Sequence, residues 1–543
     1  MQDYRFWGII FSLCTVSLLA SLETTVIVTS LPSIVADLEF GESYVWVGNI
    51  FFLTSAIVQP LFGQISNLFG RRYPTLFVVA LYTLGSGICG GAVSPAMMIV
   101  GRAIQGAGSG GINLVVEVIV SDLVPLRDRG YFMAIVLLVY SIGSTAGPAV
   151  GGAIVENTSW RWVFYINLPV GGLCLVSLWA FLRVRWDRTA TIASRLQRLD
   201  YIGNALFTGS TISVLLALTW AGVTYPWSDY HVLAPLLIGF AGMALFIWFE
   251  SSSFVPGGEP VMPVRIFANR TSATVYALTF LNSTTLYWIF FFVPLYFQGV
   301  LLVSPTQSGV YILPITLVAI PGAAMAAVAL SRWGRYKPLH IVGFALVTIG
   351  FGLFSLMDRH TSTGEWVGFQ IIPAIGGGLI LNTLLPAFQA PLLESDQAAA
   401  TASWAFIRSF GSVWGVAVPA TIFNTYTSRY ASRVDNEMAQ MVLRSGDAYA
   451  SATRDFVMSF PEPVRSQMRD VYTEAFRMVF LVGIAVAGSA CLISFLEEEI
   501  VLRKELETEF GIDTGKEGAK ETSEMEGGQT PVATSQGTPM IQG

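Results

Sequence analysis

Charge is scarce in this chain. Only 12% of its 543 residues are Asp, Glu, Lys or Arg, against roughly a quarter in a soluble domain, and this excludes a water-soluble enzyme. There are 3 histidines, His231, His340 and His360, all at predicted span ends, so neither metal chemistry nor a buried histidine relay is expected. The 4 cysteines, Cys14, Cys89, Cys174 and Cys491, fall inside apolar runs, and no disulfide framework is expected. Basic residues are not in excess: 30 Lys and Arg face 36 Asp and Glu, a net charge of −6. Much of the acidity lies after Leu496, which argues against nucleic acid as a partner. No G-x-x-x-x-G-K-[ST] phosphate loop exists, since the nearest string, around Gly511, Gly515 and Lys516, has the wrong spacing. ATP is therefore not the energy source. No nucleophile with a base and an orienter can be assembled, so the chain does not read as an enzyme, and no cofactor is needed.

What is abundant is apolar sequence. Hydrophobic residues make up 53% of the chain, and fourteen helices of about 20 residues would use roughly 280 positions. Long apolar runs broken by Pro, Gly or charge predict spans near 7–30, 44–66, 74–93, 97–120, 130–155 and 162–182. A second series follows near 201–221, 231–250, 273–298, 308–331, 338–356, 366–389, 400–422 and 474–496. The fold class expected is an all-α integral membrane protein of fourteen spans, its partner the lipid bilayer. Charged and Ser-, Gly- and Pro-rich breaks divide it six, two and six: a bundle over 1–199, two linker helices over 200–258, and a second bundle over 259–500. The second bundle carries a long outer loop at 424–473, in which Arg465 to Arg477 reads as a helix at the membrane surface or capping the pore. Residues 501–543 are Glu-, Gly-, Thr- and Ser-rich and are expected to be a disordered cytoplasmic tail.

Arginine and lysine in short loops set the orientation. With the N-terminus in the cytoplasm, the inner loops carry fourteen such residues, from Arg71 and Arg72 through Arg127, Arg185 and Arg188 to Arg335 and Lys337, and the outer loops only Arg161 and Arg359. Both termini are expected to be cytoplasmic.

Several strings carry chemistry. Gly63-Gln64-Ile65-Ser66-Asn67-Leu68-Phe69-Gly70-Arg71-Arg72 is a tight loop ending in two cations, suited to contact helix ends or anionic headgroups. Arg102-Ala103-Ile104-Gln105-Gly106-Ala107-Gly108 places a guanidinium within an apolar span, where it is costly enough to require an interior partner or a watery cavity. Its glycines also match G-x-G-x-x-G, but no strand precedes them, and a dinucleotide site is discarded. Glu23 is the deepest acid of the first span, about 10 Å from its outer end, and Arg102 lies about 8 Å from the outer end of its own. Similar depth allows them to meet, as a proton carrier with its partner or as a fixed ion pair. Gly143, Gly147 and Gly151 recur every four residues in Gly143-Ser144-Thr145-Ala146-Gly147-Pro148-Ala149-Val150-Gly151-Gly152, making a flat face for another helix, with Pro148 adding a bend.

Together these strings resemble the major facilitator superfamily. The loop is similar to its G-x-L-x-D-x-x-G-R-[KR] motif, with Asn67 where Asp is usual; the resemblance implies a gating relay to which Asp122, Arg127 and Arg129 could contribute in place of that acid. Arg102 to Gly108 resembles R-x-x-Q-G-x-G, which implies a link to proton coupling. The string from Gly143 to Gly152 resembles the G-x-x-x-G-P-x-x-G-G motif of antiporters. The segment Leu22-Glu23-Thr24-Thr25-Val26 to Pro32 is similar to the L-D-x-T-[IV]-V-x-x-A-L-P segment of the fourteen-span drug:proton antiporter family, with Glu for Asp. Further matches, Trp160-Arg161-Trp162 to Pro169, Pro294 to Gln298, Ser308 to Val310 and Arg408 to Gly411, look most like its fungal toxin and multidrug efflux branch, for which the N-terminal segment is unusually short.

The resemblance implies a monomeric, proton-coupled antiporter of the plasma membrane that exports small organic molecules. Glu23 and Arg102 would couple protons, and Gln105, Glu117, Tyr276, Phe280 and Arg408 would line the substrate cavity. Glu117 lies about 22 Å along its helix from Arg102, too far to pair with it, and Arg408 suits a substrate, relay or structural role. Tyr276, Phe280, Tyr287 and Phe291 form a helical stripe that faces either lipid or a flat ligand. A vacuolar basic amino-acid or siderophore carrier and a transport-dead sensor are the other readings, and the substrate itself is not legible.

Overall fold

A computed structural model of the chain describes residues 4–38, 45–126, 128–183, 191–221, 225–252, 259–393, 396–444, 448–449 and 451–502. The tail from 503 onward, Arg127, Arg185 and Arg188, and the packing of Pro148 and Gly152 lie outside the described residues. Among the described residues the architecture is helical, with two isolated β-bridges.

The first half comprises α1 (Tyr4–Leu38), α2 (Val45–Ile57), α3 (Gln59–Phe69), α4 (Arg72–Gly90), α5 (Pro95–Leu123), α6 (Arg129–Asn157), α7 (Arg161–Tyr165) and α8 (Asn167–Phe181). A short α9 (Ile192–Gln197) leads to a hairpin of α10 (Tyr201–Trp220) and α11 (Tyr230–Ser251). The second half runs through α12 (Arg270–Gly299), α13 (Pro305–Tyr311), α14 (Leu313–Trp333), α15 (Lys337–Phe354), α16 (Thr363–Leu381), α17 (Leu384–Gln389), α18 (Gln397–Tyr430), α19 (Glu437–Arg444), α20 (Arg454–Met458) and α21 (Val464–Ser494). Pro60, which has no N–H to donate, stands at the start of α3, and the pair α2–α3 is bent by 42° there.

Among the described residues, 12 helices are long and apolar enough to cross a membrane, or 13 with the bent pair as one span. The shortfall from fourteen lies in α6. It has 29 residues, of which Arg129–Ser144 is the apolar stretch found among the described residues. The sequence expectation for 424–473 is also corrected. α18 continues to Tyr430 and α21 begins at Val464, so Arg465 to Arg477 is the opening of the last long helix and not a separate surface element.

The first half packs around Leu13, Val79, Tyr82 and Ile112, the second around Trp288, Phe292, Phe351 and Phe476. The α10–α11 hairpin joins the second cluster, with the Phe207 ring edge-on to Phe406 at 4.6 Å. Ala398, Ala402 and Ala405 of α18 belong to the first cluster; small side chains there let the two halves meet closely. The halves cross where α18 lies against α3 and α5 and where α14 lies against α6.

Glycine sets the helix spacing. A Cβ on Gly143 would strike Ser21 Oγ and lie 2.9 Å from the Leu18 carbonyl oxygen; one on Gly147 would strike Thr25 Oγ1. The glycine face of α6 therefore seats α1 along the turns that carry Glu23. On α5, Gly108 abuts the Tyr82 backbone and Gly106 the Phe51 backbone, so α5 is flanked by α4 and α2.

The described C-terminal residues form a strap. His340 and Glu497 are both fully buried, Nδ1 lying 2.9 Å from Oε1, and His340 Nε2 lies 3.0 Å from Thr383 Oγ1. Tyr336 donates to the Glu498 carbonyl at 2.6 Å and Lys337 Nζ to that of Glu497 at 2.6 Å. The sequence placed His340 at a span end without a buried role. It does stand in the first turn of α15, but the returning chain covers it.

Substitution Gly143→Leu is expected to leave little folded protein, since α1 cannot move outward without losing its buried contacts. The monodisperse peak of a fluorescent fusion on gel filtration checks this; an undiminished peak would mean that the α1–α6 seam tolerates a side chain.

Candidate functional site

Glu23 and Arg102 meet inside the first half. Arg102 Nη1 lies 2.7 Å from Glu23 Oε1, and the two side chains are 1% and 0% exposed. An ion pair so far from water survives only if its remaining donors and acceptors are satisfied, and the neighbours do this. Arg102 also donates from Nη1 to Gln105 Oε1 at 2.7 Å and from Nε to the Val47 carbonyl at 2.9 Å. Asn167 Nδ2 donates to Glu23 Oε2 at 2.6 Å, and Gln105 Nε2 to Ser86 Oγ at 2.8 Å. The guanidinium stands 4.3 Å from the Phe51 ring centroid, adding a cation–π contact. Five helices thus converge, α1, α2, α4, α5 and α8. Gln105, expected in the substrate cavity, is instead fully buried in this network.

A second ion pair crosses between the halves. Arg408 Nη1 of α18 lies 2.6 Å from Glu117 Oε1 of α5, with the arginine side chain 32% exposed and the carboxylate 4%. Arg408 also lies over the Trp404 ring at 4.5 Å, and Gln59 Nε2 donates to the adjacent Ser409 Oγ at 3.1 Å. Tyr140 of α6 and Tyr287 of α12 lie within electrostatic reach of Arg408. Of the aromatic stripe, Tyr276 turns elsewhere, while Phe280 stays against the helix that carries Arg408. Tyr276 packs 4.8 Å from Phe267 and 5.8 Å from Phe388, and Phe280 packs against Phe410 and Trp414.

The loop between α3 and α4 organises one end of the bundle. Gly70 has φ 76°, a left-handed value that favours glycine, and its turn brings Arg71 back under α5. Arg71 Nε lies 2.6 Å from Asp122 Oδ2, with side-chain exposures of 3% and 5%, and Nη1 donates to Asn67 Oδ1 at 3.0 Å. The amide at 67 thus keeps the acceptor that an acid would offer, while Asp122 supplies the charge. Arg72 points away and donates to the Trp179 carbonyl at 2.6 Å. Gly63 lies against Ala402 of α18. Arg129 crosses to the second half, donating to Gln389 Oε1 at 2.7 Å and Gln397 Oε1 at 2.9 Å, and Ser331 Oγ donates to Asp128 at 2.6 Å. Nearby, Arg198 pairs with Glu259 at 2.6 Å; burial lifts the Glu259 carboxyl above its usual range while Arg198 pulls it back.

Sequence reasoning missed Asn167, Ser86, Gln389, Gln397 and Trp404, all uncharged residues whose partners come from distant helices. Asn167 stood in the Trp160 to Pro169 string, which was the one available signal.

Spanning helices in two packed halves, with ion pairs buried within one half and across the seam, define a membrane protein of the transporter class. The chain belongs to the major facilitator superfamily, whose family profile matches residues 13–416; it is a transporter and not an enzyme. It is 48% identical over 527 residues to the MFS-type transporter TwmF of Talaromyces wortmannii, covering 97% of this chain and 95% of that one. It is 46% identical to the MFS efflux transporter aclA of Aspergillus oryzae, covering 98% and 96%. It is 41% identical to the efflux pump FUS6 of Gibberella moniliformis, covering 97% and 93%. Among solved structures, the human organic anion transporter MFSD10 (TETRAN) shares the fold with a TM-score of 0.57 at 14% identity, over 90% of this chain and 100% of that one.

The bonds from Arg129 to two glutamines tie the first half to the second at this end of the seam. Because hydrogen bonds to a charged group are worth about 1.5–3 kcal/mol, Arg129→Gln is expected to raise maleimide labelling of a cysteine at Thr401, a fully buried position, by about tenfold. Unchanged labelling would show that Arg129 does not hold the seam.

Proposed function

We propose that this protein is a proton-coupled antiporter that exports a small organic molecule across the plasma membrane, working as a monomer. The observation that carries this reading is the fully buried Glu23–Arg102 pair, whose helix α1 rests through Ser21 and Thr25 on the α6 glycines of the string that resembles the antiporter motif. The relatives named as efflux pumps support the outward direction of transport. In this reading α6 is the fourteenth span: 29 residues at about 1.5 Å each suffice to cross, and it lies along α1. The spans are then arranged six, two and six, over 1–199, 200–258 and 259–500, and the Arg71 and Arg129 end is cytoplasmic by its arginines, as are both termini.

In this reading the Arg129 bonds close the seam at its cytoplasmic end. In the proposed cycle Glu23 takes a proton from outside and its charge is lost. Arg102 then keeps Gln105 and the Val47 carbonyl but loses its ionic hold on α1, and the halves rock about the midplane. Release of the proton inward restores the pair, and the organic substrate is captured for the return. Arg102 is the partner that makes the deprotonated state worth keeping, and Asn167 holds the carboxylate in register with it.

A vacuolar carrier of basic amino acids or siderophores is disfavoured by the named relatives. It is also disfavoured by the seam: a cationic substrate requires spare acids, and Glu117 there already holds Arg408.

The test expresses wild type and Glu23→Gln in a yeast lacking its own drug pumps and measures accumulation of fluorescent and toxic lipophilic compounds, with and without a proton uncoupler. Wild type is expected to lower accumulation, and uncoupling or Glu23→Gln to abolish the effect with protein still at the cell surface. Normal efflux by Glu23→Gln would remove Glu23 from the mechanism. Protein located at the vacuole would move the carrier reading to first place.

A further inference from the structure

Resting on the export reading above, we infer that the seam between the halves holds an oxyanion site centred on Arg408, and that the exported substrate is an organic acid with an aromatic or apolar body.

Four observations meet at this residue. Arg408 and Glu117 come from opposite halves, so their 2.6 Å contact must break or shift whenever the halves separate. The two members are unequally accessible. The arginine side chain is 32% exposed and the carboxylate 4%, so a solute entering the seam meets the cation first. The guanidinium is also under-used: its contacts among the described residues are Glu117 and the face of Trp404 at 4.5 Å. A guanidinium carries five N–H donors in a planar fork that matches a carboxylate or enolate, and an ammonium ligand could use none of them. Finally, Glu117 Oε2 is buried without a hydrogen-bond partner, so the carboxylate satisfies its arginine with one oxygen only and is a poor occupant of the fork.

The surroundings set the rest of the ligand. Phe410 and Trp414 of α18 pack with Phe280 of α12, and Tyr140 and Tyr287 lie within electrostatic reach of the guanidinium. An acid with a flat apolar body can therefore place its oxyanion on Arg408 and its body among rings. Glu117 is the internal competitor for the same cation, and the ligand acts by taking the fork from it.

The experiment uses the full chain purified in detergent and three aryl carboxylates of rising size, benzoate, 2-naphthoate and 9-anthroate, each beside its methyl ester. Binding is read as the rise in the midpoint of thermal unfolding with ligand concentration. At least one acid is expected to stabilise the wild type while its ester does not. Arg408→Gln is expected to abolish the difference. Glu117→Gln, which removes the competitor and leaves the cation, is expected to tighten the acid by about tenfold, a gain that a merely structural ion pair would not produce. Equal stabilisation by acid and ester, no stabilisation by any acid, or acid binding that survives Arg408→Gln overturns the inference. If Arg408→Gln does not fold, the Glu117→Gln gain decides alone, and its absence overturns it. The export reading is separable. Proton-dependent efflux of neutral or cationic dyes without acid binding removes only the acid site, and acid binding without any coupled efflux removes only the antiport.

Discussion

An ion pair taken out of water is an expense that the surrounding structure must offset, and much of the first half is arranged around one such pair. Removing a single charge from its partner in an apolar interior costs several kcal/mol, so neither Glu23 nor Arg102 is charged there without hydrogen-bonding partners to offset the cost. Gln105, Ser86 and Asn167 complete the shell, which fixes the relative positions of α1, α4, α5 and α8. Glycines then make those positions reachable. Gly106 and Gly108 let α5 approach its two neighbours, and Gly143 and Gly147 let α6 approach α1. The polar shell and the glycine seams are two sides of one constraint: helices in lipid gain little from hydrophobic burial against each other, so close contact and hydrogen bonds hold them.

The charges differ in kind according to where they lie. Glu23 and Arg102 are enclosed within one half, with every partner of the pair drawn from that half. Arg129 and the Arg408–Glu117 pair straddle the seam and must change whenever the halves rock. Arg71 with Asp122 lies within the first half but beside the seam, where it shapes the loop that meets α18. In the proposed cycle these become a site that exchanges a proton, a latch across the seam, and a turn between them.

Asn67 illustrates how a departure from a motif can leave its geometry intact. An amide there accepts from Arg71 as an acid would, and Asp122 provides the negative charge from the neighbouring helix. The opposite case is His340. Its place in the first turn of α15 says nothing of burial; it is covered because the chain returns after α21 and lays Glu497 over it.

Composition and periodicity alone determined the membrane class, the positions of most spans and the depth of Glu23 and Arg102, because the bilayer requires long apolar helices and penalises every buried charge. The same reasoning placed a span at 130–155, where α6 lies with its glycines seated against α1. Local sequence could not bring Glu117 to Arg408, which lie 291 positions apart, or Asn167 to Glu23. Nor could it turn Tyr276 into the second half's core and leave Tyr287 near the seam. These outcomes depend on helix rotation and on which helices pack together. Neither is written in the spacing of any one segment, and both are decided only when all the helices satisfy their polar groups and their packing at once.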